Sequence, residues 1–272
     1  MKRRESLSFK VLDHDSRGLL LKDLGHPLQR RTFRSWNRIA TTLHWDHVID
    51  IGSNYGEMIF FSNINLDQKI TAIEANPKLI PILTHNLRFF SNKTILSKAI
   101  SSQKGFVNFN VNEKHSGKSA ISSQLGGELI EATTLEHLLE NQVHNSVLIK
   151  IDIEGGENDL INSILKFKSC KFLFFIESQT FDSEIYERLL SGFKVFCIDS
   201  DIKPIFEVTK KNSKSFCQSR RKGRNCLLVP YLLAPKIQKI KIRPSYFFFW
   251  EFLGSLLYRV SSSLERMRFV FH

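Results

Sequence analysis

The stretch that decides the fold is HVIDIGSNYG, residues 47–56. Its short apolar run ends in a glycine, which reads as a strand buried on both faces, the mark of a parallel sheet. Gly52 lets the backbone approach a ligand closely, and Gly56 permits a tight turn into a helix that should begin near it. A helix N-terminus there favours a carboxylate or another anion. The spacing is G-x-x-x-G rather than the G-x-G-x-x-G of dinucleotide binders, which counts against a nicotinamide-dependent oxidoreductase. Glycine at a strand-to-helix turn is commonplace, so this motif alone also fits an ordinary turn.

Outward from this stretch, strands and helices alternate. Residues 69–74 (KITAIE) read as a second strand, 77–89 as a helix and 94–100 as a third strand. Residues 106–111 (FVNFNV) alternate as a short extra strand, and 114–128, rich in Ser and Gly, read as a loop. A helix over 133–140, a strand over 147–153 and a helix through Phe167 follow. Then come a strand over 171–177 (KFLFFIE), a helix over 183–190, a strand over 193–199 and a last strand over 225–229 (NCLLV). Such alternation predicts an α/β fold: a doubly wound, mostly parallel, seven-stranded sheet covered on both faces. Before it, residues 1–45 form a helical extension, with Leu28, Phe33, Trp36, Ile39, Ala40 and Leu43 at helical spacing. Arg30, Arg31, Arg34 and Arg38 make the outer face of that helix basic, and His26-Pro27 suits its opening. The main domain spans 46–232. The polar, basic stretch 210–224 should be an exposed loop. Residues 233–272 are a basic, aromatic-rich tail in which Lys236, Lys239, Lys241 and Arg243 precede Tyr246 to Trp250.

With 272 residues, the chain suits one large domain with appendages. Its net charge of +12 draws anions at long range without choosing among nucleic acid, acidic lipid and acidic sugars. The four cysteines form no CxxC pair and no metal-type spacing, which favours a reducing compartment. Neither a secretory signal nor a run long enough to span a bilayer is present, so a cytoplasmic location is expected.

Ligands of open α/β sheets sit at the carboxyl ends of the strands, and acidic residues recur there. Glu74 closes the second strand, where a carboxylate accepts both hydroxyls of a ribose. With the glycine turn upstream, the nucleoside reading outweighs a capping or exposed acid. In LIKIDIEGGE, residues 148–157, Lys150 and Asp152 share one strand face. Two charges on a buried strand imply pairing or function. For Glu157, in the first helical turn, capping and the helix dipole suffice. Glu177, ending KFLFFIE, reads equally as a site acid or a strand-terminating one.

Taken together, VIDIGSNYG, AIEANP, KAIS with SGKSAISS, TTLEHLL, LIKIDIEGGE and FIES resemble the FkbM-type methyltransferases, from His47 to Glu177 and in the same order. RNCLLVP, ending at Pro230, resembles the family's last strand. Ser53, Ala75 and Gly156 depart from its usual residues, small for small or Ala for Pro. The resemblance implies a Rossmann-like class I methyltransferase with S-adenosylmethionine as cofactor and O-methylation of a sugar, saccharide or related small molecule. Carried over by position, Asp50, Gly52, Ser53, Asn54 and Gly56 cradle the methionine end. Glu74 and Ala75 lie at the ribose, Ala99 after Lys98 near adenine, and Asp152 at the amino group or reacting centre.

A hydroxyl acceptor must lose a proton as the methyl transfers. Asp152 is the first candidate base, with Glu154 and Glu177 behind it and His115 as a loop alternative. No metal is assigned, although the acidic cluster suits Mg²⁺ in kind. An RNA-modifying methyltransferase is the alternative suggested by the basic surface, without a recognisable RNA module to favour nucleic acid. A non-catalytic membrane-associated scaffold is another. The tail suits an anionic bilayer surface, which would place the protein peripherally on the inner membrane face, or a helix packed on a partner. The sequence does not read out an oligomeric state.

Overall fold

A computed structural model describes residues 8–122, 126–198, 206–218 and 225–235. The chain divides into two units, residues 1–240 and 241–272. The second unit lies outside the described residues, as do the cluster Arg220 to Arg224 and the basic tail from residue 236 on.

In chain order the elements are α1 (Ser16–Leu24), α2 (Arg30–Thr42), β1 (His47–Ile51), α3 (Glu57–Phe60), β2 (Ile70–Glu74), α4 (Ile80–Asn86) and β3 (Lys93–Ser97). Next come β4 (Ala99–Ile100), β5 (Gly105–Asn110), β6 (Ala120–Ile121), β7 (Glu128–Thr133), α5 (Leu135–Leu139) and β8 (Ser146–Ile151). The chain continues through α6 (Ile161–Lys166), β9 (Lys171–Glu177), α7 (Ser183–Leu189), β10 (Phe193–Cys197), β11 (Phe206–Val208), α8 (Ser213–Gln218) and β12 (Asn225–Pro230).

The main sheet has the order β11-β10-β12-β9-β8-β1-β2-β3. From β9 to β3 every pairing is parallel. At the other edge β12 runs antiparallel to both β9 and β10, and β11 antiparallel to β10. The expected seven strands are therefore eight. The extra one, β11, has three residues, too short to show a pattern. Its direction follows from the connection: only residues 198–205 separate β10 from β11, and a parallel crossover needs a dozen or more.

Both faces are covered, as the alternation predicts. On one side Ile49, Ile149, Ile151, Phe172 and Phe174 pack against Leu135, Ile161, Ile164, Tyr186 and Leu189 of α5, α6 and α7. On the other, Val48, Ile70, Ala72, Leu148, Leu173 and Phe175 meet Trp36 and Ile39 of α2, Ile59 of α3 and Leu83 of α4. α2 thus belongs to the core: the Trp36 indole donates to the Met58 carbonyl at 3.1 Å. The exposure of Arg30, Arg34 and Arg38 agrees with a basic outer face. α2 begins three residues after Pro27 rather than at it.

A second sheet, β4-β7-β5-β6, was not anticipated. The stretch read as one strand over 94–100 breaks at Lys98, whose N–H bonds to the Glu74 carbonyl at 3.1 Å. Beyond the break, Ala99 pairs with Ala132 instead of continuing the main sheet. Residues 129–132, between the expected loop and helix, carry no element in the sequence reading, yet they form most of β7: Ile130 and Ala132 are buried and pack with Ala99 and Phe109. The loop expected over 114–128 holds a 3₁₀ turn at Ser116–Lys118 and β6. In the basic stretch 210–224, residues Ser213–Gln218 form α8, with Phe216 buried.

Gly52 ends β1 at φ 73°, and a Cβ there would lie 1.8 Å from the carbonyl oxygen of Asp152. The chain leaving β8 passes directly over this position, which is a second reason for glycine beside the close approach to a ligand expected from the sequence. Gly52→Ala combines left-handed backbone strain with a collision against backbone. It should lower the unfolding free energy by about 3 kcal/mol or more, as read from urea denaturation.

Candidate active site

The carboxyl ends of β1, β2 and β8 open into a cleft, roofed by the small sheet and by residues 116–121. Of the residues expected from the sequence, Gly52, Asn54, Glu74, Ala75, Ala99, Asp152 and Glu154 line it together. Asp50, Ser53, Gly56 and Glu177 do not. Ser53 is buried beneath the turn, where its hydroxyl donates to the Asp50 carbonyl at 2.6 Å and accepts from Ile73 N–H at 3.0 Å. Gly56 caps α3 at φ 76° and packs on Leu83 of α4. His115 lies beside the cleft without lining it.

Asp50 and Lys150 are register partners on the β1–β8 seam. Lys150 Nζ stands 3.3 Å from a carboxylate oxygen of Asp50 and 3.3 Å from one of Asp152. Burial works against the Lys150 charge, but Asp152, Asp50 and Glu57 hold its pKa above the ordinary lysine value. Burial pushes the Asp50 carboxyl up, and Lys150 offsets this only in part. Both Asp50 oxygens lack a hydrogen bond among the described residues, so the ion pair is their main support.

Glu74 is buried at the end of β2, which burial makes harder to ionise. Its oxygens accept from Asn54 N–H at 2.7 Å and Asn76 N–H at 2.8 Å. Each oxygen has a second lone pair, so both can still accept a hydroxyl. The cap of the following turn is Asn76 rather than Glu74.

The three candidate bases differ in basicity. Burial disfavours the Asp152 anion, but Lys150, a hydrogen bond from Glu177 and the nearby Arg17 hold its pKa below the usual value. Glu154, at φ 55° on the cleft wall, is pushed up to about 7 by partial burial and then by Asp152 and Glu157. Glu177 is raised to about 8 by burial and by Asp152. Asp152, Glu157 and Glu177 present oxygens within 4.8 Å of one another. Glu157, however, is occupied by the N–H groups of Ile153 at 2.9 Å and Gly155 at 3.0 Å, the capping role read from the sequence.

Sequence reasoning missed Arg17, Lys98, Phe109, Ser116 and Ser119 on the cleft wall. Arg17 donates to Asn54 Oδ1 at 3.0 Å and pairs with Glu57. Asp15 anchors this region by capping α1 and accepting from the Tyr55 hydroxyl at 2.6 Å and Ser116 N–H at 3.0 Å. The only local signal was a capping aspartate ahead of α1.

An open α/β sheet with an acid closing its second strand and a cleft beyond the strand ends belongs to the class that binds nucleoside-bearing ligands. Residues 50–203, more than half of the chain, match the methyltransferase FkbM domain, and the chain belongs to that family. Among curated proteins none matches. Solved structures with a similar trace include the O-methyltransferase TomG from Streptomyces achromogenes, involved in tomaymycin synthesis. It is 8% identical, with 83% of this chain and 93% of that one covered and a TM-score of 0.44. A precorrin-6y C5,15-methyltransferase from Geobacter metallireducens is 15% identical over 72% of this chain and 84% of that one, at TM-score 0.35. An rRNA methylase from Streptococcus thermophilus is 10% identical over 75% and 98%, at 0.39. Among the described residues no helix is long and apolar enough to cross a membrane.

Lys150→Met should destabilise the protein by about 3–5 kcal/mol, because it strands two carboxylates, one fully buried. Adding Asp50→Asn should recover part of that loss in urea titrations at neutral pH. Stability should also depend on pH. Glu177 titrates near 8 when folded and near its ordinary 4.5 when unfolded, so between those values the folded state holds the extra proton. Stability therefore falls as pH rises from about 4.5 to 8. Glu154 acts in the same direction, whereas Asp152 acts oppositely and only below about pH 4. Glu177→Gln should flatten this slope in thermal melts taken across the range.

Proposed function

We propose that the chain transfers a methyl group from S-adenosylmethionine to a hydroxyl of a saccharide or related small molecule. The observation that carries this reading is the meeting of Glu74 and Asp152, from β2 and β8, across one cleft. The residues fit the cofactor's chemistry. Glu74 keeps lone pairs for ribose hydroxyls. Ala99, Ile100 and Phe109 offer an apolar wall for a base. Asp152, held ionised, suits an amino group.

Bound there, S-adenosylmethionine supplies an electrophilic methyl on a neutral leaving group, so positioning does much of the work. The chain must orient the acceptor oxygen and take its proton. Glu154 suits that task best: it lines the cleft, and a pKa near 7 matches a general base at neutral pH. Asp152, with its lowered pKa, is the weaker base and better suited to fixing a positive charge. Glu177, behind Asp152 and protonated at neutral pH, donates to it and keeps it in place.

Calorimetric titration should show micromolar binding of S-adenosylmethionine and none of NADH. Binding of NADH alone would reject the methyl-transfer reading. With a labelled methyl donor and a panel of saccharides, turnover should rise through about pH 7 as Glu154 ionises. Glu154→Gln should lower kcat by roughly 10²–10⁴-fold while leaving the Kd for the methyl donor nearly unchanged. A Glu154→Gln protein with full kcat would exclude this residue as the base.

A further inference from the structure

We infer that Arg17, supplied by the segment ahead of the family-matched residues, binds the α-carboxylate at the methionine end of the cofactor. The inference rests on the S-adenosylmethionine reading above.

A carboxylate in such a cleft is ordinarily met by free backbone amides at a glycine turn or helix N-terminus. The turn has none to offer here. Gly52 N–H and Ser53 N–H both donate to the Ile73 carbonyl at 2.9 Å, and Gly56 N–H donates to the Ser53 carbonyl at 2.7 Å. Asn54 N–H is taken by Glu74 at 2.7 Å, and Tyr55 N–H by Asn54 Oδ1 at 3.0 Å. The helix that follows, α3, has four residues and a correspondingly small dipole. The anion expected from the sequence at this turn therefore needs a side-chain cation.

Among the described residues the cleft wall carries two cations, Arg17 and Lys98. Lys98 is paired with Glu131 at 2.6 Å, and its N–H bonds to the Glu74 carbonyl, which places it at the ribose end. Lys150 sits beneath the wall between Asp50 and Asp152. Arg17 stands beside Asn54 of the glycine turn and within electrostatic reach of Asp152. An amino-acid zwitterion needs one anion and one cation side by side, and Asp152 with Arg17 provides that pair.

Arg17 is also held ready. Asn54 and Glu57 take two of the five N–H donors of the guanidinium. They fix its plane and leave the other donors for a ligand. Its side chain is 17% exposed and lines the cleft. Gly117 packs against it so closely that a Cβ there would lie 2.9 Å from Arg17 Cδ. The backbone carrying Arg17 is tied to the cleft loops by Asp15 to Tyr55 and Ser116, and by Ser16 N–H to the Lys114 carbonyl at 3.0 Å. The N-terminal segment and the glycine turn thus form one rigid corner.

The test compares S-adenosylmethionine with its decarboxylated form, which keeps the amino group and lacks the carboxylate. Calorimetry is run on the full chain. Wild type should bind the intact cofactor roughly 10- to 100-fold more tightly than the decarboxylated one, the range expected for a charge-assisted hydrogen bond. Arg17→Gln should erase most of that preference, by weakening the intact cofactor and not by strengthening the decarboxylated form to the same extent. Because this variant strands the Glu57 carboxylate, Arg17→Gln/Glu57→Gln is measured beside it, with thermal melts confirming that both are folded. Equal losses for the two ligands, or a preference that survives the substitution, would overturn the role of Arg17. So would a wild type that binds both ligands equally well. A wild type that binds neither ligand would overturn the cofactor reading itself, and the inference with it.

Discussion

Lys150 is buried between Asp50, its register partner on β1, and Asp152, just beyond the end of its own strand. Buried charges such as Lys150 and Asp50 are tolerable only when paired, and removing one leaves a charge without compensation. That requirement pins the ends of β1 and β8 side by side. It also brings the Asp152 carbonyl over Gly52, so closely that no side chain fits there. The glycine turn, the position of Asp152 at the cleft and the direction in which Glu154 leaves the sheet all follow from this seam.

Around the seam the acids are graded rather than equivalent. Lys150, Glu177 and Arg17 keep Asp152 ionised, while Glu154 and Glu177 are pushed toward neutrality by burial and by Asp152 itself. Groups with divergent basicity in one cleft divide the labour of charge stabilisation and proton transfer. The residue most deeply tied into the charge network, Asp152, is the poorer base, and its neighbour on the same cleft wall, Glu154, is the better. Proximity in sequence does not reveal that ordering, since Asp152 and Glu154 are two residues apart.

The small sheet and the N-terminal segment complete the cleft. β5, β6 and β7 bring Phe109 and Ile121 to its roof. Asp15 and Arg17 join the glycine turn to the loop at Ser116. Each of these parts has only a small core: Ala99, Phe109, Ile130 and Ala132 in the small sheet, and Leu21 of α1 with Tyr55 and Leu79.

What the sequence determined by itself is the doubly wound sheet, the strands β1, β2, β8 and β9, and the acids at their ends. Continuous apolar runs such as HVIDI and KFLFFIE have one stable setting, burial on both faces, and a strand end then exposes whatever acid follows. The pairing of Lys150 was half legible: its shared face with Asp152 followed from the strand period, while Asp50 became its partner only through strand order. Lys98 shows the limit most clearly. Residues 94–100 read as one strand, yet the chain changes sheets at Lys98 because Ala99 finds Ala132, more than thirty residues later. Arg17 was invisible for the same reason, since Asn54 and Glu57 lie 37 and 40 residues away from it in the chain. Local pattern records which face of an element seeks burial. Which distant element covers that face, and which charges then meet, is decided only when the chain closes on itself.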